Sequence, residues 1–194
     1  MNIPGSFYPD FLSPEHADTL FSHLKQNPIL LEPQVMVDPV TGESFEQGTS
    51  QIWFHDPEIE FGDMHSGGQT HRIFSWDNEL QRVFEKVNAI TNQSFQVGVC
   101  LWYKDGLVDA PWHYDPPAFG KTDVIASLNL GATRLFGIRE KETGEVKKVP
   151  LTHGSLYVME DGFQKGFEHC IFAEPEVTEP RINITFRKFG DLHD

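Results

Sequence analysis

Between residues 95 and 188 the chain breaks into seven short runs of strand-forming residues, each closed by a turn, and no other feature restricts the fold as much. The runs cover 95–103, 124–130, 134–139, 146–149, 155–159, 169–172 and 181–188. Asp105-Gly106, Gly131, Thr143-Gly144, His153-Gly154 and Glu179-Pro180 supply turn signals between them. The last run is the most regular: Arg181, Asn183, Thr185 and Arg187 alternate with Ile182, Ile184 and Phe186. Because strand side chains alternate between faces, this segment has one polar and one apolar side.

Two helices precede the strands. Ser13-Pro14-Glu15 combines a capping hydroxyl, a proline in the first turn and an acid near the positive helix end, and Ala17, Leu20, Phe21 and Leu24 follow at helical spacing. This predicts a helix over 14–26. Leu80, Val83, Phe84, Val87 and Ile90 predict a second over 77–91. Helices followed by many short strands point to an α+β protein with a sandwich or double-stranded β-helix (jelly-roll) core and two N-terminal supporting helices. The stretch between the helices carries prolines, glycines and acids with little periodicity, apart from pieces such as Gln51-Ile52-Trp53-Phe54. It reads as an irregular binding lid over 27–75.

At 194 residues, with no linker or repeat, a single domain over 1–194 is expected, its core over 95–189. The chain has no apolar run of about eighteen residues and no signal-peptide pattern at its start, so it reads as soluble and intracellular, with no membrane partner, and as a monomer. Cys100 and Cys170 show no metal or disulfide spacing and read as small apolar residues. A net charge of −14 argues against a broad nucleic-acid-binding surface. Arg134, Arg139, Lys141, Lys147 and Lys148 nevertheless fall close together, as either a local basic strip or a solvated hairpin.

The chemistry centres on Trp112-His113-Tyr114-Asp115. In an extended segment His113 and Asp115 share a face while Tyr114 points away. Imidazole and carboxylate together suit Fe(II), Mn(II) or Zn(II), and the same pattern also suits a polar strand end. Taken alone, His169, at the start of a later strand, reads as a hydrogen-bonded strand histidine; its place between the His-x-Asp pair and the arginine strand makes it the natural third ligand. Of the remaining histidines, His16, His23 and His193 lie on a helix face or the tail, His55, His65 and His71 fall in the irregular stretch, and His153 sits in a turn with a hydrogen-bonding role. The polar face of the last strand is either a wet edge or a site for a small dicarboxylate, which guanidinium groups bind bidentately.

The segments Trp102-Tyr103-Lys104-Asp105-Gly106, Trp112 to Asp115, Ile125 to Arg134, Leu151 to Leu156, His169, and the Arg-x-Asn-x-Thr-x-Arg run from Arg181 to Arg187 stand in the order found in one family. The chain resembles the AlkB-like Fe(II)- and 2-oxoglutarate-dependent dioxygenases, closest in tone to those that repair alkylated bases. The likeness covers about residues 95–189, with weaker similarity through the second helix and Trp53-Phe54.

The resemblance implies iron held by His113, Asp115 and His169. It implies Arg181 and Tyr103 on the distal carboxylate of 2-oxoglutarate, and Asn183 and Arg187 toward the metal end. Arg181 and Arg187 are about 20 Å apart at most by strand rise, longer than the cosubstrate, so Arg187 is also expected to steady Asp115. The implied reaction uses O2 to decarboxylate 2-oxoglutarate to succinate while hydroxylating a C–H bond, with formaldehyde leaving when that carbon is an N-methyl group. Alkylated single-stranded DNA or RNA is the implied partner, and Trp53, Phe54 and Tyr114 read either as stacking or pocket residues or as buried structural ones. The chain departs from the family at Leu101, where repair members carry asparagine, and at Pro117, where they place a base-contacting acid. The same iron chemistry on a protein side chain, lipid or small metabolite is the alternative.

Overall fold

The computed structural model describes residues 2–37, 41–62 and 69–190. The first half comprises β1 (Gly5–Tyr8), α1 (Pro14–Lys25), α2 (Pro28–Leu31), β2 (Gln34–Val37), β3 (Ser44–Gln47), β4 (Ser50–His55), β5 (Ile73–Ser75) and α3 (Asn78–Thr91). The second comprises β6 (Val97–Tyr103), β7 (Ala110–His113), β8 (Ile125–Gly131), β9 (Arg134–Glu140), β10 (Val146–Leu151), β11 (Leu156–Met159), α4 (Phe163–Gly166), β12 (Phe167–Ile171) and β13 (Arg181–Arg187).

Both long helices start where their sequences provide caps. Ser13 Oγ accepts from the His16 amide at 3.3 Å, and Asp77 Oδ1 accepts from the Glu79 and Leu80 amides, each at 3.0 Å. α3 ends where Asn92 adopts a left-handed conformation, φ 51°. Their apolar stripes cover one face of a seven-stranded sheet ordered β1-β11-β8-β13-β6-β4-β5. On that face Leu20, Val83 and Phe84 pack with Leu128, Ile182, Ile184 and Phe186.

The register of β13 decides what the opposite face carries. Arg181 pairs with Tyr103 and Gly131, Asn183 with Leu101 and Asn129, and Thr185 with Val99 and Ser127. Directly paired residues project to the same side. The polar half of β13 therefore turns away from the helices, toward a four-stranded sheet ordered β10-β9-β12-β7. Between the two sheets Phe136, Ile138, Leu151, Tyr157, Met159 and Phe163 form a second core. Two facing sheets, antiparallel except where β4 meets β5, braced by helices, are the expected α+β jelly roll, and the wet-edge reading of the last strand does not hold: β13 is central.

The structure corrects the expectation of an irregular stretch after α1. β2 and β3 pair as a hairpin, and β4 is a strand of the larger sheet, antiparallel to β6 and parallel to β5. β4 shows no alternation because both its faces are buried: Ile52 and Phe54 join the helix-side core while Trp53 packs with Phe61, Val97 and Val99. Parts of the 27–75 stretch, together with His65 and His193, lie outside the described residues.

Candidate active site

β7 and β12 lie side by side, with His113 directly opposite His169 and their ring centroids 4.2 Å apart. β7 ends at His113, so Asp115 is not on the strand expected for it; other groups hold it in place. Its amide donates to Gln164 Oε1 of α4 at 2.9 Å, and its carbonyl accepts from Thr122 Oγ1 at 3.0 Å. Arg187 Nη2 donates to its Oδ1 at 2.8 Å, and Oδ2 lies 3.5 Å from His169 Nε2. One ligand atom from each of His113, Asp115 and His169 falls within 4.8 Å of the others.

The protonation states favour ligation. His113 Nδ1 lies 2.7 Å from the Pro111 carbonyl, which can only accept, so this nitrogen carries a hydrogen and the ring is oriented with Nε2 as its other face. Burial pushes the His169 imidazole down to about 4, against the opposing pull of Asp115. Burial alone would raise the Asp115 carboxyl, but Arg187, His169 and His113 outweigh it and hold it below its ordinary value. At neutral pH, His169 and Asp115 both present electron pairs, not protons.

The cluster opens into a cavity of about 450 Å³ between the sheets, whose wall carries Tyr103, Arg181, Asn183 and Arg187. Arg181 is 1% exposed. Its Nη2 donates to Asn129 Oδ1 at 2.7 Å, and the Tyr103 ring centroid lies 4.8 Å from its guanidinium carbon. Its Nε and Nη1, and the Nε of Arg187, are buried with no hydrogen-bond partner. Burial pushes the Arg181 guanidinium below its ordinary value, opposed by Tyr103. A buried cation with idle donors is costly unless an anion meets it.

Residues 5–187 match the 2OG-Fe(II) oxygenase superfamily. The chain belongs to that family. It is 29% identical to alpha-ketoglutarate-dependent dioxygenase alkB homolog 3 of Bos taurus, over 92% of this chain and 64% of that protein. It therefore spans just under two thirds of that relative's length. It is also 29% identical to DNA oxidative demethylase ALKBH2 of Mus musculus, over 89% of this chain and 74% of that protein. In fold it is similar to the solved structure of OsALKBH1, with a TM-score of 0.66, 14% identity, and coverage of 97% of this chain and 99% of that one.

The cavity fits what a 2OG-Fe(II) oxygenase requires. Two imidazoles and a carboxylate suit Fe(II) and leave positions for further ligands. The idle donors of Arg181 suit a carboxylate of 2-oxoglutarate. Asn183 lines the same wall, but its amide hydrogens are directed to Ser127 Oγ, the Leu128 carbonyl and Asn129 Oδ1 at 2.8–3.2 Å. Its donors thus brace β8. Leu101 also lines the cavity, directly across from Gln51 of β4, which brings an amide to the apolar position.

The three aromatic residues read as stacking, pocket or structural groups are not brought together. Phe54 faces the helices, where its ring lies 6.1 Å from that of Phe74. Trp53 is on the cavity side of β4 but buried in its own apolar cluster. Tyr114, between His113 and Asp115, is 51% exposed.

Arg134 leaves the expected basic strip: it is 1% exposed, its guanidinium feeds the carbonyls of Asp105, Gly106, Val108 and Phe172, and it pairs with Glu174. His153 accepts from the Gly131 amide at 2.8 Å, the turn role expected of it. Gln164, Ser127 and Asn129 were not anticipated. They are uncharged and far in sequence from the groups they hold, and their types are ordinary in any strand or turn.

Proposed function

We propose that the protein oxidatively dealkylates nucleobases in single-stranded DNA or RNA, using Fe(II), 2-oxoglutarate and O2. The observation that carries the reading is the convergence in one cavity of the His113, Asp115 and His169 ligand atoms with a buried, half-unpartnered Arg181. The names of the relatives, an alpha-ketoglutarate-dependent dioxygenase and a DNA oxidative demethylase, support the substrate class.

Fe(II) and 2-oxoglutarate bound there would supply, with O2, the oxidising power to turn 2-oxoglutarate into succinate and carbon dioxide and to hydroxylate a C–H bond; an N-hydroxymethyl product would lose formaldehyde. The protein's part is placement. His113, Asp115 and His169 would hold Fe(II). Arg181, fixed by Asn129 and backed by the Tyr103 ring, would take the distal carboxylate of the cosubstrate. Arg187 holds the Asp115 carboxylate from behind, so the ligand keeps its orientation and stays deprotonated. Phe136 and Phe163 pack on the His169 ring at 5.5 and 5.9 Å between centroids and keep water from that side.

The test is incubation with Fe(II), 2-oxoglutarate and a panel of methylated single-stranded oligonucleotides. Formaldehyde release with matching loss of mass is the expected result; neither product across the panel overturns the reading. A second reading, a protein side chain, lipid or small metabolite as substrate, is favoured by the −14 charge and by Pro116-Pro117 after the ligand. It expects succinate formation stimulated by such compounds and never by nucleic acid.

A further inference from the structure

We propose that the outer face of the smaller sheet is a docking surface for single-stranded nucleic acid, carrying the strand toward the cavity rim; this rests on the dealkylation reading. Register aligns Lys148 with Gly137 and Cys170, and Arg139 with Glu168, on the side of the sheet opposite the pairing of Ile138 with His169. Trp112, next to His113, turns to that same outer side, and Phe172 follows directly after β12. There the guanidinium carbon of Arg139 lies 4.5 Å from the Trp112 ring centroid, and Lys148 Nζ lies 4.7 Å from that of Phe172. The two rings meet edge to face at 5.8 Å. At the rim Lys141 Nζ lies 4.4 Å from the centroid of Tyr114, the residue between two ligands.

Rings alternating with cations are what a single strand needs, since its bases stack on aromatic faces and its phosphates require positive charge. A cation over a ring is held more weakly than a stacked base, so Lys148, and Lys141 on giving up its 2.8 Å bond to the Gln164 carbonyl, can turn to phosphates as bases take the rings. Gly137 keeps the platform open: a Cβ there would come within 2.7 Å of both the Phe172 ring and Cys170 Sγ. Of the acids near this face, Glu168 is tied to Arg139 at 2.5 Å, while Asp109 lies close enough to Cys170 to act on its thiol. Glu140, Glu142 and Glu145 lie toward the hairpin turn. In a chain of charge −14 these cations are concentrated beside the site. An acidic peptide would use the cations but leave the rings without partners.

The experiment is fluorescence anisotropy of unmethylated, fluorescein-labelled single-stranded DNA and RNA with the Fe(II)- and 2-oxoglutarate-loaded protein. Polyglutamate serves as competitor. The doubly substituted Lys141→Glu/Lys148→Glu protein is expected to bind roughly tenfold or more weakly, with a salt slope shallower by about 1.4, as two lost phosphate contacts require. Lys25→Glu/Arg82→Glu, the same charge change on the helix side, is expected to lose less than about twofold. Equal losses in both variants, no loss in either, no binding by the unsubstituted protein, or equal competition by polyglutamate would overturn the proposal. A methylated trinucleotide, too short to span the face, separates the two ideas. Its dealkylation persists if only the surface is wrong and is absent if the dealkylation reading is wrong, while anisotropy reports on the surface either way.

Discussion

Arg187 Nη2 donates to Asp115 Oδ1 at 2.8 Å across 72 residues of chain, so the end of β13 supports a candidate metal-binding carboxylate that no strand holds. Arg187→Met removes the leading influence that lowers the Asp115 pKa, so the carboxyl moves upward against the remaining pull of His169 and His113. Iron affinity, measured by anaerobic Fe(II) titration, is expected to fall about 10- to 100-fold, the usual cost of losing a group that orients a ligand. Because the carboxyl then protonates more readily, acid-induced release of iron should begin at a higher pH in the variant. Unchanged affinity and an unchanged pH profile would show the contact to be incidental.

Arg181 poses the converse case, a cation kept buried with two idle donors. A bound dianion would satisfy those donors, and ligand binding to the folded state raises stability in proportion to occupancy. Saturating 2-oxoglutarate should therefore raise the melting temperature of the Fe(II)-loaded protein and have little effect on Arg181→Met. In the variant the KM for 2-oxoglutarate is expected to rise by about one to two orders of magnitude, the loss of one buried charge-assisted pair. Fe(II) affinity should hold, since Arg181 touches none of the three ligands.

How much of this was legible in the sequence depends on whether a residue's partners are local. β13 was legible because one of its faces meets apolar core and the other a polar cavity, which leaves strict alternation. The two long helices were legible through their caps and stripes. β4 was not, because apolar groups cover both faces of Ser50–His55 and erase the period. Arg134 looked like surface charge because nothing nearby in sequence shows that four carbonyls from other segments would surround it. Asp115 was expected on a strand because its spacing from His113 is right, but spacing does not reveal that β7 stops at His113.

The depressed pKa of His169 makes the metal-free protein sensitive to acid. Its imidazole titrates at about 4 in the folded chain and near its ordinary 6.5 when unfolded. The unfolded state therefore takes up a proton first as pH falls, and the stability present above about 6.5 is lost progressively toward 4. Urea unfolding of the chelator-treated protein should show a loss on the order of 2 kcal/mol between about pH 7 and pH 5 from this residue. His169→Gln should flatten that segment of the curve. Asp115, whose pKa is lowered from a carboxylate value, contributes its own loss in a more acidic window.

Phe54 and Trp53 are neighbours that face opposite sides of β4, and substitution should separate them. Phe54 is buried against Phe74 and the helix-side core, so Phe54→Ala leaves a void beneath α3 without altering the cavity wall. Truncations of this kind cost about 3–5 kcal/mol. In urea unfolding the variant should lose that much, while at temperatures where it stays folded its KM for substrate and for 2-oxoglutarate should remain within about twofold. Gln51 lies on the cavity side, paired in register with Leu101. Gln51→Leu should reverse the pattern, with stability near that of the parent and a raised KM for substrate, because it removes an amide from the wall and leaves packing largely intact. A Phe54→Ala protein of normal stability with a selectively raised substrate KM would return Phe54 to the stacking role suggested by its sequence position.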